Sequence, residues 1–191
     1  MGIFPPPSVE AHPMDSLTAK LEVYRTVIDT LLSKGAIEEV TNTGSEGYYS
    51  ILFLRAKPSR EWRPIIDLKE LNKIIVNSSF RTESARSIQQ SMTKGQWACS
   101  IDLTDAYYHI PINRHFKKFL RFAIGGKVYQ FKALPFGLVI APRIFTSGML
   151  EVAKVLRTLG VNIHIYLDDW LLKNDDPESL TTQIVSTLSL L

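Results

Sequence analysis

The tetrapeptide Tyr166-Leu167-Asp168-Asp169 places two adjacent carboxylates between two apolar segments. Apolar side chains alternate at Val161, Ile163, Ile165 and Leu167, which is the period of a half-buried strand. A second apolar run follows directly after the two aspartates. The pattern predicts a β-hairpin with Asp168-Asp169 at its tip.

Two neighbouring carboxylates repel each other, and a divalent cation between them removes that repulsion. The pair therefore indicates a metal site and, with it, phosphoryl chemistry. Aspartate is also common in ordinary surface turns, because its side chain bonds the local backbone. The tetrapeptide alone does not decide between these two interpretations.

The composition is that of a globular protein, with 45% hydrophobic and 21% charged residues among 191. A chain of this length can bury one substantial core, in one domain or two small lobes. Its single cysteine, Cys99, excludes an internal disulfide and fits a reducing compartment. No run is long and apolar enough to span a membrane, and the first residues lack a signal peptide. We therefore expect an intracellular protein, cytoplasmic or nuclear, that is not secreted and has no membrane partner.

The charge is unevenly distributed, although the net charge is only +3. Residues 55–132 contain 15 lysines and arginines and 6 acidic residues, whereas the rest of the chain contains 7 and 13. A basic middle section is typical of a protein with a polyanionic partner. A solvated surface would explain the same charges.

Helical and strand patterns alternate without βαβ regularity, so the expected class is α+β. After an extended arm over residues 1–13, Asp15 is expected to cap a helix that ends at Lys34-Gly35. Further helices are predicted over residues 82–94, over residues 142–159 and from Asp176 onward, where the apolar pattern continues to the last residue. That ending fits either a truncated reading frame or a natural C-terminal helix. Strands are predicted over residues 48–56, 62–67, 98–103 and 127–134.

Asp102 is the best candidate for a third metal ligand, because it lies near the end of the predicted strand 98–103, where a carboxylate would emerge. The alternative is a cap for the turn that follows, a role in which aspartate is equally common.

Four segments, in this order, resemble the motifs of reverse transcriptases. They are Trp62-Arg63-Pro64-Ile65-Ile66-Asp67-Leu68, Ser100-Ile101-Asp102-Leu103-Thr104-Asp105-Ala106-Tyr107, Leu134-Pro135-Phe136-Gly137-Leu138 and Tyr166-Leu167-Asp168-Asp169. The resemblance runs from about residue 48 to residue 173 and is closest to retrotransposon enzymes, especially the DIRS-like group. It implies an RNA-directed DNA polymerase with a right-hand fold.

The resemblance also implies the division of that fold. Residues 1–80 and 110–140 would form the fingers, and residues 81–109 and 141–191 the palm, an antiparallel sheet with packed helices. The primer-gripping hairpin, the thumb and an RNase H region are absent and would lie on a longer parent protein. The expected partners are an RNA or DNA template with its primer, and deoxynucleoside triphosphates.

In the family, the counterparts of Asp102, Asp168 and Asp169 hold two Mg²⁺ ions, for which Mn²⁺ is an alternative. Mg²⁺ prefers a few carboxylates together with substrate phosphates. The implied reaction is attack of a primer 3′-hydroxyl on the α-phosphate of a nucleotide by two-metal catalysis.

The resemblance further implies a nucleotide site formed by Arg63, Lys57, Tyr107, Phe136 and Gly137. Tyr107 would exclude a 2′-hydroxyl, although a core tyrosine is the alternative, as we expect for its neighbour Tyr108. The fingers turn departs from the family pattern, so that Arg60 could replace Lys57. The Pro-Phe-Gly loop could equally be a plain turn.

Four basic residues follow the motif that contains Asp102. They could contact template phosphates or could form a solvated face. They are Arg114, Lys117, Lys118 and Arg121.

Two other functions compete with an active polymerase. One is a non-catalytic, nucleic-acid-binding remnant; the other is a metal-dependent hydrolase, for which His164 is the only nearby base and has no supporting pattern.

Overall fold

The structure is a computed structural model that describes residues 17–41, 47–58, 61–80 and 83–190. The described helices are α1 (Leu17–Ser33), α2 (Lys69–Ile74), α3 (Ala85–Ser91), α4 (Ala141–Thr158) and α5 (Pro177–Leu190). The strands are β1 (Ile37–Glu39), β2 (Leu52–Ala56), β3 (Trp62–Ile66), β4 (Trp97–Asp102), β5 (Arg121–Ile124), β6 (Lys127–Phe131), β7 (Ile163–Tyr166) and β8 (Asp169–Asn174). This mixture confirms the α+β class. The predicted arm over residues 1–13 and the Asp15 cap lie outside the described residues.

The strands form three antiparallel sheets. The first has the order β1-β6-β5, and the second is the β2-β3 hairpin. The third has the order β4-β8-β7 and carries the Asp-Asp tetrapeptide. Because β8 is its central strand, the third sheet joins a hairpin to a strand more than sixty residues earlier in the chain.

Several predicted bounds were wrong. The helix expected over residues 82–94 is only α3, because Ser84 and Ser87 form a capping box at its start and Met92 leaves the helical conformation. The strand expected from residue 48 begins at Leu52, and Tyr49 makes only a single bridge to Arg121. The short strands β1 and β5 and the helix α2 were not predicted, because fewer than seven residues carry little periodicity.

Two clusters of buried apolar side chains form the interior. One joins α1 to β3, β5, β6 and the segment before α4, with Leu31, Phe122 and Leu134 among its best-buried members. The other lies beneath the third sheet and contains Ile163, Trp170 and other side chains from α4, β7, β8 and α5. The tetrapeptide therefore belongs to a sheet with its own core.

The two faces of the third sheet differ in character. Ile165 pairs with Trp170, and both are almost completely buried against the helices. The next pair, Tyr166 and Asp169, points to the opposite face because side chains alternate along a strand. Asp102 pairs with Asp169 and therefore shares that opposite face.

Within the part of the chain that the structure describes, no helix has the length and apolarity needed to cross a membrane.

Candidate active site

Three aspartates lie at one end of the third sheet. Asp102, the last residue of β4, lies directly opposite Asp169, the first residue of β8. The backbone N–H of Leu103 donates a hydrogen bond of 3.0 Å to the carbonyl oxygen of Asp168. This ladder brings Asp102 beside Asp168-Asp169, although they are distant in sequence.

The hairpin turn is shifted by one residue from the prediction. Tyr166 and Asp169 are the last paired residues, so Leu167 and Asp168 occupy the tip, and Asp169 belongs to β8. Leu167 has a φ of 54°, in the left-handed region that non-glycine residues rarely adopt. The prediction of Asp168-Asp169 at the tip was therefore wrong, because the strand pairing extends to Tyr166 and Asp169 and the turn falls one residue earlier.

A cleft of about 320 Å³ opens beside these aspartates. Its polar walls combine carboxylates and cations from strands and loops that are distant in sequence. These side chains are Asp102, Asp105, Asp168, Lys34, Lys57 and Arg63. Asp169 is not among the lining residues, and within the described ranges no three metal-binding side chains lie close enough to hold an ion by themselves.

The donor set nevertheless fits a magnesium ion that takes part of its ligands from substrate. Within the described residues, none of Asp102, Asp168 and Asp169 forms an ion pair with a basic side chain. Mg²⁺ is commonly bound by one or two carboxylates together with water and phosphate oxygens. The cleft aspartates Asp102 and Asp168 provide such a pair.

Two adjacent tyrosines occupy different positions next to the cleft. The ring centroid of Tyr107 lies 4.6 Å from that of Phe136 and 5.3 Å from that of Phe145. Burial and the nearby Asp168 carboxylate raise the pKa of the Tyr107 hydroxyl, which places this side chain near the candidate metal ligands. Tyr108, which we expected to be only a core residue, lines the cleft wall, whereas Tyr107 is not among the lining residues.

Tyr108 is the more strongly perturbed of the two. Burial and the Asp105 carboxylate, opposed by Arg63, raise its pKa to about 12. The hydroxyl therefore stays protonated at all physiological pH values.

The two expected triphosphate-binding residues lie on the β2-β3 hairpin. Arg63 is exposed in β3, and Lys57 follows β2, where its ammonium lies 3.2 Å from the Glu61 carboxylate. Both line the cleft. The alternative residue Arg60 lies outside the described residues.

The Pro-Phe-Gly loop is held in place by one side chain of α2. The Asn72 amide donates to the Gly137 carbonyl at 2.9 Å and accepts from the Val139 N–H at 2.9 Å. Gly137 has a φ of 97°, and a Cβ added there would lie 3.4 Å from the Ile66 carbonyl oxygen. The loop therefore requires glycine at this position, and it presents Phe136 to the cleft.

Lys34 is a cleft residue that sequence reasoning missed. Its ammonium lies 2.5 Å from a carboxylate oxygen of Asp105, and this ion pair joins the end of α1 to the loop after β4. In the sequence, Lys34-Gly35 only marked the end of a helix, and no pattern links it to Asp105. The sequence shows a basic residue at the end of a helix, but it does not show which acidic residue pairs with it.

The four basic residues that follow the Asp102 motif do not form one solvent-exposed surface. Lys117 lies 2.9 Å from the Glu38 carboxylate, and Arg121 is only 5% exposed and donates to Gln130 at 3.1 Å. Lys118 lies over the ring of Phe119. Arg114 is exposed. Arg114 and Lys118 are the members best placed to reach a ligand.

Comparison with known proteins places this geometry in a family. Residues 55–191 match the family model described as reverse transcriptase (RNA-dependent DNA polymerase). Similar curated proteins include the Pro-Pol polyprotein of simian foamy virus type 1, at 28% identity over 86% of this chain, and the Pol polyprotein of equine infectious anemia virus (strain Wyoming), at 31% over 78%. The chain spans about 14% of the length of each of these relatives.

Solved structures agree with this result. The protease-reverse transcriptase of prototype foamy virus aligns with a TM-score of 0.73 at 25% identity, covering 87% of this chain and 21% of that one. The foamy viral protease-reverse transcriptase in complex with double-stranded DNA aligns with a TM-score of 0.76 at 20% identity, covering 88% of this chain and 34% of that one. These matches confirm the right-hand polymerase fold. Together, the matched motifs, the paired aspartates and the shared fold show that the chain belongs to the reverse transcriptase family.

Proposed function

We propose that this chain carries the nucleotide-joining site of an RNA-directed DNA polymerase of a retroelement. The observation that carries the proposal is the register of the third sheet, which pairs Asp102 with Asp169 and sets Asp168 beside them in a cleft with three cations. The carboxylates in this cleft would bind a metal cation, and the basic side chains would bind a polyphosphate. The DIRS-like subgroup stays a prediction.

The division of labour follows from the two core clusters. We propose that residues 1–80 and 110–140 act as fingers and residues 81–109 and 141–191 as palm. The first core cluster draws its side chains mainly from the proposed fingers, and the second entirely from the proposed palm. The cleft lies between them, because its lining comes from both sets.

Asp102 and Asp168 would hold Mg²⁺, with Asp169 as a third carboxylate nearby. When bound, Mg²⁺ or Mn²⁺ would lower the pKa of the primer 3′-hydroxyl and neutralise the triphosphate charge. The primer oxygen would then attack the α-phosphate, form a phosphodiester bond and release pyrophosphate.

Lys57 and Arg63 would hold the triphosphate, because arginine can donate two parallel hydrogen bonds to phosphate oxygens and lysine supplies a compact charge. Tyr107 would exclude ribonucleotides sterically, held in position by Phe136 and Phe145. Gly137 would let the loop approach the β3 backbone closely enough to present Phe136.

We propose that a template with its primer occupies the same side of the molecule. Arg114 and Lys118 would contact phosphates, which makes binding independent of sequence and dependent on salt. Lys117 and Arg121 would support that surface from within the fold. Location in the cytoplasm or nucleus stays a prediction from the single cysteine, Cys99.

Primer extension on an RNA template with Mg²⁺ tests the proposal. We expect Asp168→Asn to lower the rate of primer extension at least about 100-fold relative to the unsubstituted chain, because misplacing or removing a metal ligand costs orders of magnitude. Asp175→Asn, at an exposed aspartate just beyond β8, is the matched control and should retain the wild-type rate.

Extension that survives Asp168→Asn would show that the site is misassigned. If neither protein extends a primer but both bind the RNA–DNA hybrid, the chain is a nucleic-acid-binding remnant.

A further inference from the structure

One of the carboxylates in the cleft already has a basic partner. Asp105 lies in the loop after β4 and lines the cleft together with Asp102 and Asp168. Its carboxylate is 2.5 Å from the ammonium of Lys34, which directly follows α1. Within the described residues, neither Asp102 nor Asp168 forms an ion pair with a basic side chain. Two of the cleft carboxylates can therefore accept a metal cation, whereas the protein itself neutralises the third.

The backbone holds Asp105 at the cleft independently of this ion pair. Its φ of 54° and ψ of 32° lie in the left-handed region, which aspartate and asparagine adopt more readily than other non-glycine residues. Its carbonyl oxygen accepts a hydrogen bond of 2.7 Å from the backbone N–H of Tyr108. Because these restraints do not involve Lys34, removing the ammonium would leave an unpaired carboxylate in the cleft.

Arg63 is the cation that such a carboxylate would attract. Arg63 and Asp105 both line the cleft. Beyond the effect of burial, the Asp105 carboxylate raises the pKa of the Tyr108 hydroxyl and the Arg63 guanidinium lowers it, so both charges lie near that hydroxyl. Lys34 pairs with Asp105 and Lys57 with Glu61, whereas Arg63 forms no ion pair in the part of the chain that the structure describes.

We propose that Lys34 is a positioning residue that occupies the Asp105 carboxylate and so keeps the Arg63 guanidinium available for the triphosphate of an incoming nucleotide. This inference rests on the proposed function of the cleft. Without Lys34, the Asp105 carboxylate would repel the triphosphate and draw Arg63 into an ion pair. Arginine can donate two parallel hydrogen bonds to a carboxylate or to a phosphate, so the two groups compete for it. Lys34 thus acts on the substrate through Asp105 and Arg63, without touching it.

The effect of this ion pair falls on nucleotide binding and not on folding. The side chains of Lys34 and Asp105 are 43% and 32% exposed, and ion pairs at such positions contribute little to stability. A charge-assisted hydrogen bond from arginine to phosphate is a much stronger contact. Removing Lys34 should therefore leave the fold nearly as stable as before and weaken the binding of a triphosphate.

Binding of deoxythymidine triphosphate with Mg²⁺, measured by isothermal titration calorimetry, tests the inference without a primer. We expect Lys34→Ala to raise the Kd about tenfold, which corresponds to the loss of one charged hydrogen bond to phosphate. Lys34→Arg should restore most of the affinity, because arginine can pair with the same carboxylate. Adding Asp105→Asn to Lys34→Ala should also restore it, since asparagine removes the charge and tolerates the same backbone conformation.

The double variant separates positioning from direct contact. If Lys34 touched the phosphates itself, or served only the fold, the double variant would bind as weakly as Lys34→Ala, and the inference would be overturned. Asp105→Asn alone should bind at least as tightly as the wild type, and it carries the test if Lys34→Ala does not fold. Weaker binding by Asp105→Asn would also overturn the inference, because that carboxylate would then be a ligand.

Lys127→Ala serves as the control, because it breaks an ion pair with Glu39 that also joins two elements but lies outside the cleft lining. Its Kd should equal that of the wild type. In primer extension, Lys34→Ala should raise the KM for the nucleotide and leave kcat nearly unchanged. A wild-type chain that binds the triphosphate but extends no primer counts against the proposed polymerase function alone, whereas a wild-type chain that binds no triphosphate overturns the inference.

Discussion

At the scale of single residues, backbone strain is concentrated next to the candidate metal ligands. Asp105 and Leu167 are the non-glycine residues with positive φ in the described ranges, each at 54°. Such a conformation costs roughly 1–2 kcal/mol for a residue like leucine, and it persists only where the surroundings enforce it. At Leu167 the strained turn sets Asp169 into the ladder opposite Asp102. The pairing of β7, β8 and β4 therefore enforces a strained turn next to the proposed metal ligands.

Tyr108 provides a pH test of the buried cleft wall. Its pKa is raised to about 12 by burial and by Asp105, against the opposing effect of Arg63, so the unfolded chain loses this proton first as pH rises. The stabilisation is complete below about pH 10 and is lost between about pH 10 and pH 12. Between about pH 9 and pH 11.5, the free energy of unfolding should therefore fall by about 2 kcal/mol less in Tyr108→Phe than in the wild type.

Urea unfolding at the two pH values measures this difference. Tyr49→Phe, at a tyrosine that is 47% exposed, should follow the wild type. An identical alkaline loss in the wild type and Tyr108→Phe would refute the burial of this hydroxyl.

At the scale of elements, local patterns predicted α1, α4, α5 and the β7-β8 hairpin, because each has a long apolar repeat or clear turn residues. They could not predict the pairing of β4 with β8, since register between distant strands depends on tertiary packing. The position of Asp102 near a strand end made it a candidate ligand, and the resemblance assigned it to the same site as Asp168. No local pattern indicates the Lys34–Asp105 ion pair, because its two members lie far apart in the sequence.

The Pro-Phe-Gly loop shows how one element depends on another. Gly137 and Gly95 both have positive φ, but only Gly137 lies against other backbone, at the Ile66 carbonyl. We expect Gly137→Ala and Gly95→Ala each to lower the free energy of unfolding by about 1–2 kcal/mol, from the shared conformational strain. Only Gly137→Ala should also slow primer extension, because it displaces Phe136 from Tyr107.

Urea unfolding and primer extension on the two variants separate these effects. Equal rates of primer extension by Gly137→Ala and Gly95→Ala would show that the Pro-Phe-Gly loop takes no part in the nucleotide site.

At the scale of the whole molecule, the basic middle section has two uses. Lys57 and Arg63 line the cleft. Lys117 forms an ion pair with Glu38, and Arg121 donates a hydrogen bond to Gln130. Glu38 illustrates the internal use: burial acts to raise its pKa, but hydrogen bonds from Gln130 and Lys117, together with the charges of Lys117 and Lys132, lower it on balance. The charge asymmetry seen in the sequence is therefore partly structural and only partly available to a polyanion.

The central claim is that Asp102 and Asp168 form one metal site between the two cores. Anomalous diffraction from crystals soaked in Mn²⁺ measures this most directly. We expect a peak within about 2.0–2.6 Å of carboxylate oxygens from both residues, and its loss in Asp168→Asn crystals. Manganese bound elsewhere, or a peak that persists unchanged in Asp168→Asn, would contradict the account.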